Sequence, residues 1–266
     1  MKTTILTLAI LACALPVSAQ REEKSLSCDN KSFNQSKMVT HCEMREQTVA
    51  FAGRLAVDPG TNGGVSIRAW DNGTVMVRSK VEASAQDDGS AQILGSQIHV
   101  DTSAGVVRAM GPEQGKSQNW SVSYEIFVPR QADLNVKTFN GGISISGVRG
   151  NIQFSAMNGG VSLKRLGGDV EGTTQNGGLS VELAGDRWDG AKLDARTTNG
   201  GVTVSMPEHY SAHFETGTVN GKLNLDFPMT VHGEIGQKLA TDIGSGGATI
   251  HVETTNGGVS VKRVAM

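Results

Sequence analysis

Thr138-Phe139-Asn140-Gly141-Gly142-Ile143-Ser144-Ile145-Ser146 decides how this chain folds. After Asn-Gly-Gly the residues alternate apolar and small polar, the period of a strand with one face buried. Before it, Thr138 holds the inward position in the opposite phase. The two glycines add an odd step, which keeps the core face inward after the turn. Glycine is expected there for positive φ, which costs it little, and Asn tolerates the left-handed region.

The same unit recurs along the chain. Asn-Gly-Gly begins at Asn62, Asn140, Asn158, Asn176, Asn199 and Asn256, with degenerate copies at Asn220 (Asn-Gly-Lys) and Ser245 (Ser-Gly-Gly). From Asn140 the intervals are 18, 18, 23, 21, 25 and 11 residues. Three positions on stand Val65, Ile143, Val161, Leu179, Val202, Leu223, Ala248 and Val259; five on stand Ile67, Ile145, Leu163, Val181, Val204, Leu225, Ile250 and Val261. Between them lie Ser66, Ser144, Ser162, Ser180, Thr203, Asn224, Thr249 and Ser260. Thr138, Ala156, Thr174, Thr197, Thr218 and Thr254 stand two residues before the Asn.

Two all-β architectures fit. One is a β-solenoid of stacked two-strand coils with Asn-Gly-Gly corners, the asparagines forming a ladder. The other is an antiparallel meander or sandwich, because Asn-Gly between alternating runs is also a hairpin signal. Position-by-position identity favours stacking, since each residue's neighbour is then its own equivalent. Longer intervals become insertions at one corner, for example Ala184–Ala191 and Pro228–Lys238. Seven copies from Asn140 to Asn256 would make a body roughly 30 Å long at about 4.8 Å per coil.

The preceding region reads differently. Val65–Trp70 and Val75–Val81 flank Asp71-Asn72-Gly73, a hairpin turn. Gln97–Val100, Val106–Ala109 and Trp120–Val128 read as strands, and Asp87–Ala91 and Gly111–Gln118 as polar loops. The organisation expected is a signal peptide over 1–19, a polar arm over 20–47, an antiparallel β cap over 48–139 and the solenoid over 140–266. A cap is needed because an open edge strand recruits other chains.

Met1 to Ala19 carries an export signal: Lys2, an apolar run from Ile5 to Leu15, then Pro16 and small residues. The run is too short to span a bilayer, and no other stretch approaches the ~20 apolar residues required. Ile10-Leu11-Ala12-Cys13 is a poor lipoprotein box, so Cys13 is expected to leave with the signal. Cys28 and Cys42 then remain, and in an oxidising compartment they are expected to pair, closing a loop worth about 3 kcal/mol.

The 266 residues include 34 Gly and 6 Pro; charged residues are 19%, hydrophobic residues 38%, and the formal net charge is −2. That balance excludes a basic nucleic-acid binder and a disordered acidic tail.

The repeat copies, the segment Cys42-Glu43-Met44-Arg45-Glu46 and the run Trp120-Ser121-Val122-Ser123-Tyr124-Glu125-Ile126-Phe127-Val128-Pro129 together resemble the bacterial putative-adhesin, β-strand-repeat family, whose biochemical function is undefined. The resemblance covers nearly the whole mature chain. It implies an exported, envelope-associated, repetitive β protein and brings no catalytic residues with it.

A converging set of acids, bases and nucleophiles is not evident. His41, His99, His209, His213, His232 and His251 are scattered, and an extended chain places His209 and His213 about 13 Å apart. Gly167-Gly168-Asp169 matches a calcium-repeat fragment once only. No metal, cofactor or catalytic residue is therefore assigned. The function expected is that of an exported, non-enzymatic cell-envelope scaffold in the periplasm or at the surface, meeting a protein or glycan surface. One alternative is a carbohydrate-acting β-helix enzyme using Asp186, Asp189 and Asp194 around Trp188. The other is a sensory or regulatory envelope module acting through a protein partner.

Overall fold

The computed structural model describes residues 25–29, 38–226 and 236–264. The signal peptide, Cys13, His232 and most of the insertion at 228–238 lie outside them.

The alternation read from the sequence appears as strands that bury every second residue. In chain order the first elements are β1 (Val39–Ala50), β2 (Arg54–Asp58), β3 (Val65–Trp70), β4 (Thr74–Ala85), α1 (Asp88–Ser96), β5 (His99–Asp101) and β6 (Val106–Met110). Next come β7 (Asn119–Pro129), β8 (Asp133–Asn140), β9 (Ile143–Ser146), β10 (Arg149–Asn158), β11 (Val161–Lys164), β12 (Gly167–Asn176) and β13 (Leu179–Glu182). The remainder are β14 (Lys192–Asn199), β15 (Val202–Pro207), β16 (Ala212–Asn220), β17 (Leu223–Asp226), β18 (Lys238–Ile243), β19 (Thr249–Asn256) and β20 (Val259–Val264). No helix among the described residues is long and apolar enough to cross a membrane.

These strands make two ten-stranded mixed sheets. The first runs β1-β4-β7-β3-β9-β11-β13-β15-β20-β17 and the second β18-β16-β19-β14-β12-β10-β8-β2-β6-β5. Each Asn-Gly-Gly from Asn140 to Asn199, and again at Asn256, carries the chain from the second sheet to the first. Equivalent residues are Cα partners, as in Val161↔Ile143 and Val161↔Leu179. The copies are therefore parallel and stacked, a β-solenoid-like repeat, where a meander would make neighbouring copies antiparallel. The core lies between the sheets and is one cluster of apolar side chains, among them Ile67, Ile145, Leu163, Val181, Val204 and Val261.

Several expectations are corrected. β3 and β4 do not form a hairpin around Asp71-Asn72-Gly73. β7 lies between them, parallel to β3 and antiparallel to β4. The stack also departs from chain order: β19 and β20 sit between the Asn199 coil and the Asn220 coil. The Ser245 copy does not link the sheets, because it joins β18 to β19, which flank β16 within one sheet. Alternation encodes which face is buried, not which strand lies alongside.

The region read as an antiparallel cap is mixed. β2 and β3 pair parallel with β8 and β9, so the Asn62 copy belongs to the stack. β1 begins inside the stretch read as polar arm, and β4 and β7 supply the antiparallel pairing. Within the segment read as a loop, Asp87 N-caps α1 by accepting from the Ser90 amide at 2.8 Å. Ala91 and Leu94 turn inward against the sheet.

The glycine reading is corrected too. In most copies the first glycine does not sit at positive φ. It is required by close stacking: a Cβ on Gly159 would lie 2.2 Å from the Gly141 carbonyl oxygen, and one on Gly177 2.2 Å from that of Gly159.

Candidate functional site

The turns between the sheets carry a continuous chain of side-chain amides. Each Asn Nδ2 donates to the Oδ1 of the neighbouring coil's Asn. Asn220 donates to Asn256 (2.7 Å), Asn256 to Asn199 (2.8 Å) and Asn199 to Asn176 (2.8 Å). Asn176 donates to Asn158 (2.9 Å), Asn158 to Asn140 (2.9 Å) and Asn140 to Asn62 (3.0 Å). Asn62 Nδ2 then reaches Gln114 Oε1 at 3.0 Å, and Gln114 Nε2 donates to the Trp120 carbonyl at 3.1 Å. The sequence carries no signal for Gln114, which lies in a polar loop outside the repeat.

Beneath this ladder runs a row of buried threonine hydroxyls. Thr174 Oγ1 donates to the Gly159 carbonyl, Thr197 to Gly177, Thr254 to Gly200 and Thr218 to Gly257, each at 2.8 Å. Thr138 instead donates to Gly141 in its own coil, at 2.8 Å. The position that would otherwise reach Gly141 is Ala156, which has no hydroxyl. Each of these carbonyls thus receives one threonine, and no hydroxyl is buried without a partner there.

The outer face of the first sheet presents one transverse row, in register from edge to edge. It reads Glu46, Arg78, Glu125, Ser66, Ser144, Ser162, Ser180, Thr203, Ser260, Asn224. Its nine spacings make about 43 Å. The charged end is internally balanced. Glu125, with its side chain only 4% exposed, is held by Arg78 and lies 3.7 Å from Arg68, while Arg78 also reaches Glu46 at 3.5 Å. Cys28 and Cys42 form a disulfide with Cα atoms 5.8 Å apart, which ties residues 25–29 to β1. Leu26 lines a shallow cavity of about 420 Å³ beside Ser66, Ser123 and Ser144.

The outer face of the second sheet is ionic. Arg196 grips Asp194 through two bonds of 2.9 and 2.8 Å, and Lys192 meets Glu171 at 2.9 Å. His251 stands between Asp194 (3.3 Å) and Glu253 (3.4 Å). His213 on β16 stands between Asp242 on β18 (2.7 Å) and Glu215 (3.2 Å). The hydrogen bond to Asp242, outweighing partial desolvation and helped by Glu215, raises the His213 pKa above its ordinary value. Among the described residues no three His, Cys, Asp or Glu are placed to share a metal ion.

The family of the chain follows from its sequence over the stacked strands, where the Toastrack DUF4097 family matches residues 97–262. The chain belongs to that family. No curated protein sequence matches this Toastrack chain. A putative cell adhesion protein from Clostridium sporogenes ATCC 15579 is similar in structure, with a TM-score of 0.48 and 14% identity, covering 84% of this chain and 100% of that one. A putative adhesin from Bacteroides fragilis NCTC 9343 has a TM-score of 0.34 and 12% identity, covering 84% and 97%. A putative lipid binding protein from Parabacteroides distasonis ATCC 8503 has a TM-score of 0.34 and 11% identity, with the same coverages.

In the Toastrack chain Asp186 and Asp189 line one open cavity of about 610 Å³ with Trp188 and four arginines, and Asp194 lies apart from them. Trp188 is buried, and its indole N–H donates to the Gly168 carbonyl at 3.0 Å, so its ring closes the stack edge and is no sugar platform. Asp189 pairs with Arg149, Asp186 lies 3.9 Å from Arg187, and Asp194 is on the second sheet's face, taken up by Arg196. Gly168 of the calcium-like triplet is a packing residue, since a Cβ there would lie 2.2 Å from the Gly150 carbonyl.

Proposed function

We propose that this Toastrack protein is an exported, non-enzymatic scaffold of the cell envelope, working by adhesion or surface assembly. The observation that carries the reading is the register of the first sheet's outer row, in which six adjacent strands present a serine or threonine at the same position. Contacts spread over such a face, as repeat proteins bind. On both faces ionisable groups pair with one another, among them Glu125 with Arg78, Asp194 with Arg196 and His213 with Asp242. Export agrees with the disulfide, which persists in an oxidising compartment, and with the leader read over 1–19. Within the same reading, residues 20–47 tie down the start of the stack, the antiparallel pairing of β4 within 48–139 caps it, the Asn62 copy joins it, and 140–266 carry the remaining copies.

The test is fractionation of cells followed by glycan-array and pull-down screening of the mature protein. Recovery in an envelope fraction with capture of a glycan or envelope protein is expected. Replacing Ser144, Ser162 and Ser180 together by Glu should abolish capture while leaving the fold intact by circular dichroism. Cytosolic recovery, or capture unchanged by the triple substitution, would overturn the proposal.

A further inference from the structure

The chain contains eight Asn-Gly pairs, beginning at Asn62, Asn72, Asn140, Asn158, Asn176, Asn199, Asn220 and Asn256. Asn-Gly is the dipeptide most open to intramolecular attack by the glycine nitrogen on the Asn side chain, since glycine has no Cβ to hinder it. The stack treats these pairs unequally. In six of them the glycine N–H is donated to the backbone carbonyl of the neighbouring coil's Asn. The bonds are Gly63 to Asn140 (3.0 Å), Gly141 to Asn158 (3.1 Å), Gly159 to Asn176 (3.0 Å), Gly177 to Asn199 (3.0 Å), Gly200 to Asn256 (2.9 Å) and Gly257 to Asn220 (3.1 Å). The same six asparagines have Nδ2 donating and Oδ1 accepting within the ladder, so each side-chain amide is pinned at both ends.

Asn220 is the exception within the ladder. Its Nδ2 donates to Asn256, but among the described residues nothing donates to its Oδ1 and nothing accepts from the Gly221 N–H. Solvent exposure does not distinguish it, because Asn140, Asn158, Asn176, Asn199 and Asn256 are exposed as well. Asn72, in the connection over β7, shares the second of these features alone: no described residue accepts from the Gly73 N–H, while its Oδ1 accepts from the Thr74 amide and hydroxyl.

We infer that Asn220 is a site of spontaneous deamidation, selected by its place at the open end of the amide ladder, and that the ladder shields six other Asn-Gly pairs. The Gly221 nitrogen, losing its proton to water or hydroxide, bonds to Asn220 Cγ. The Cγ–Nδ2 bond breaks and ammonia leaves, carrying a proton from solvent. The resulting five-membered imide is opened by one water, giving aspartate or isoaspartate at 220. The product has no Nδ2 to donate, so a carboxylate faces the Asn256 Oδ1 and the terminal coil loses its side-chain tie. Asn72 follows the same chemistry away from the ladder.

The experiment holds the full chain, folded, in mildly alkaline buffer at growth temperature and maps peptides by mass spectrometry over days. Isoaspartate is read separately with an isoaspartyl methyltransferase. Acid is expected at Asn220 and Asn72, with the six shielded sites slower by roughly tenfold or more because their amides must first open. The same chain in denaturant should convert all eight pairs at similar rates, which removes intrinsic differences between them. Equal rates at Asn158, Asn176 and Asn220 in the folded chain would overturn the inference. So would an Asn220 that stays intact when folded yet converts when unfolded.

Discussion

At the Asn62 end the amide ladder runs into Gln114, and the edge strand β1 is held by a disulfide and by α1. Arg45 on β1 reinforces that end by donating to the Gly95 carbonyl (3.0 Å) and the Ile98 carbonyl (2.6 Å) at the close of the helix. At the Asn220 end the ladder stops, and β17 is a four-residue edge with Leu223 and Leu225 half-buried. The second sheet is closed there by the antiparallel strand β18, fastened through His213 and Asp242. The coils between need neither device, since each is satisfied by its neighbours. Repetition stabilises the middle of the stack, while each end depends on residues outside the repeat.

The middle is where the largest loss is expected. Gly177→Ala would put a methyl 2.2 Å from a backbone carbonyl with no flexible neighbour to yield, so a cost above about 4 kcal/mol is expected in denaturant unfolding. The same change at Gly73, which has nothing within 4 Å, should lie within about 0.5 kcal/mol of wild type. Comparable losses at both would erase the distinction between stacked and peripheral glycines.

Removing the disulfide with Cys28→Ser and Cys42→Ser should cost about 3 kcal/mol. Hydrogen exchange should then accelerate in β1 and α1 while the coils of Asn158 and Asn176 stay protected. Acceleration spread evenly over the stack would show that the two regions are one cooperative unit.

Thr174→Val keeps the shape but removes the hydroxyl that serves Gly159, so a loss of about 1–3 kcal/mol is expected from the carbonyl left without its side-chain donor. Ala156→Thr should give no matching gain, because Thr138 already serves Gly141.

The smallest effect is at the far end. The His213 pKa is raised in the folded chain, so its contribution is fully present below the ordinary histidine pKa and is lost as pH rises through the folded value. Exchange of the Lys238–Ile243 amides should quicken over that range beyond the intrinsic base-catalysed rise, and His213→Gln should remove the pH dependence. An unaltered profile in the variant would detach β18 from the histidine.

The strands and their inward faces were legible because alternation and the Asn-Gly-Gly period are local. Ile143, Val161 and Leu179 fall where periodicity puts them. Neighbour order was legible only for the regular coils from Asn140 to Asn199, where each copy lies on its own equivalent. β7 enters between β3 and β4, and β19 between β14 and β16, and nothing in the alternation of Trp120–Val128 or Ile250–Thr254 names the strand alongside. α1 escaped because Gly89 and Gly95 weaken a helical reading of Asp88–Ser96 that Asp87 and the inward side of the sheet sustain. The paired glycines read in the sequence as positive-φ positions, although the contact that requires them lies one coil away.

The out-of-order placement of residues 249–264 bears on how the molecule is made. A ribosome delivers the coil of Asn220 before the coil of Asn256, yet the later one separates the earlier from the coil of Asn199. Growth cannot zip forward from one turn of chain to the next through this point. A gap one rung wide must wait until the later segment emerges, and the partner contacts close loops of 57 residues where the regular rungs close 18. The final rung thus acts as a keystone, and the strands beyond it have no seat on the stack until it is in place.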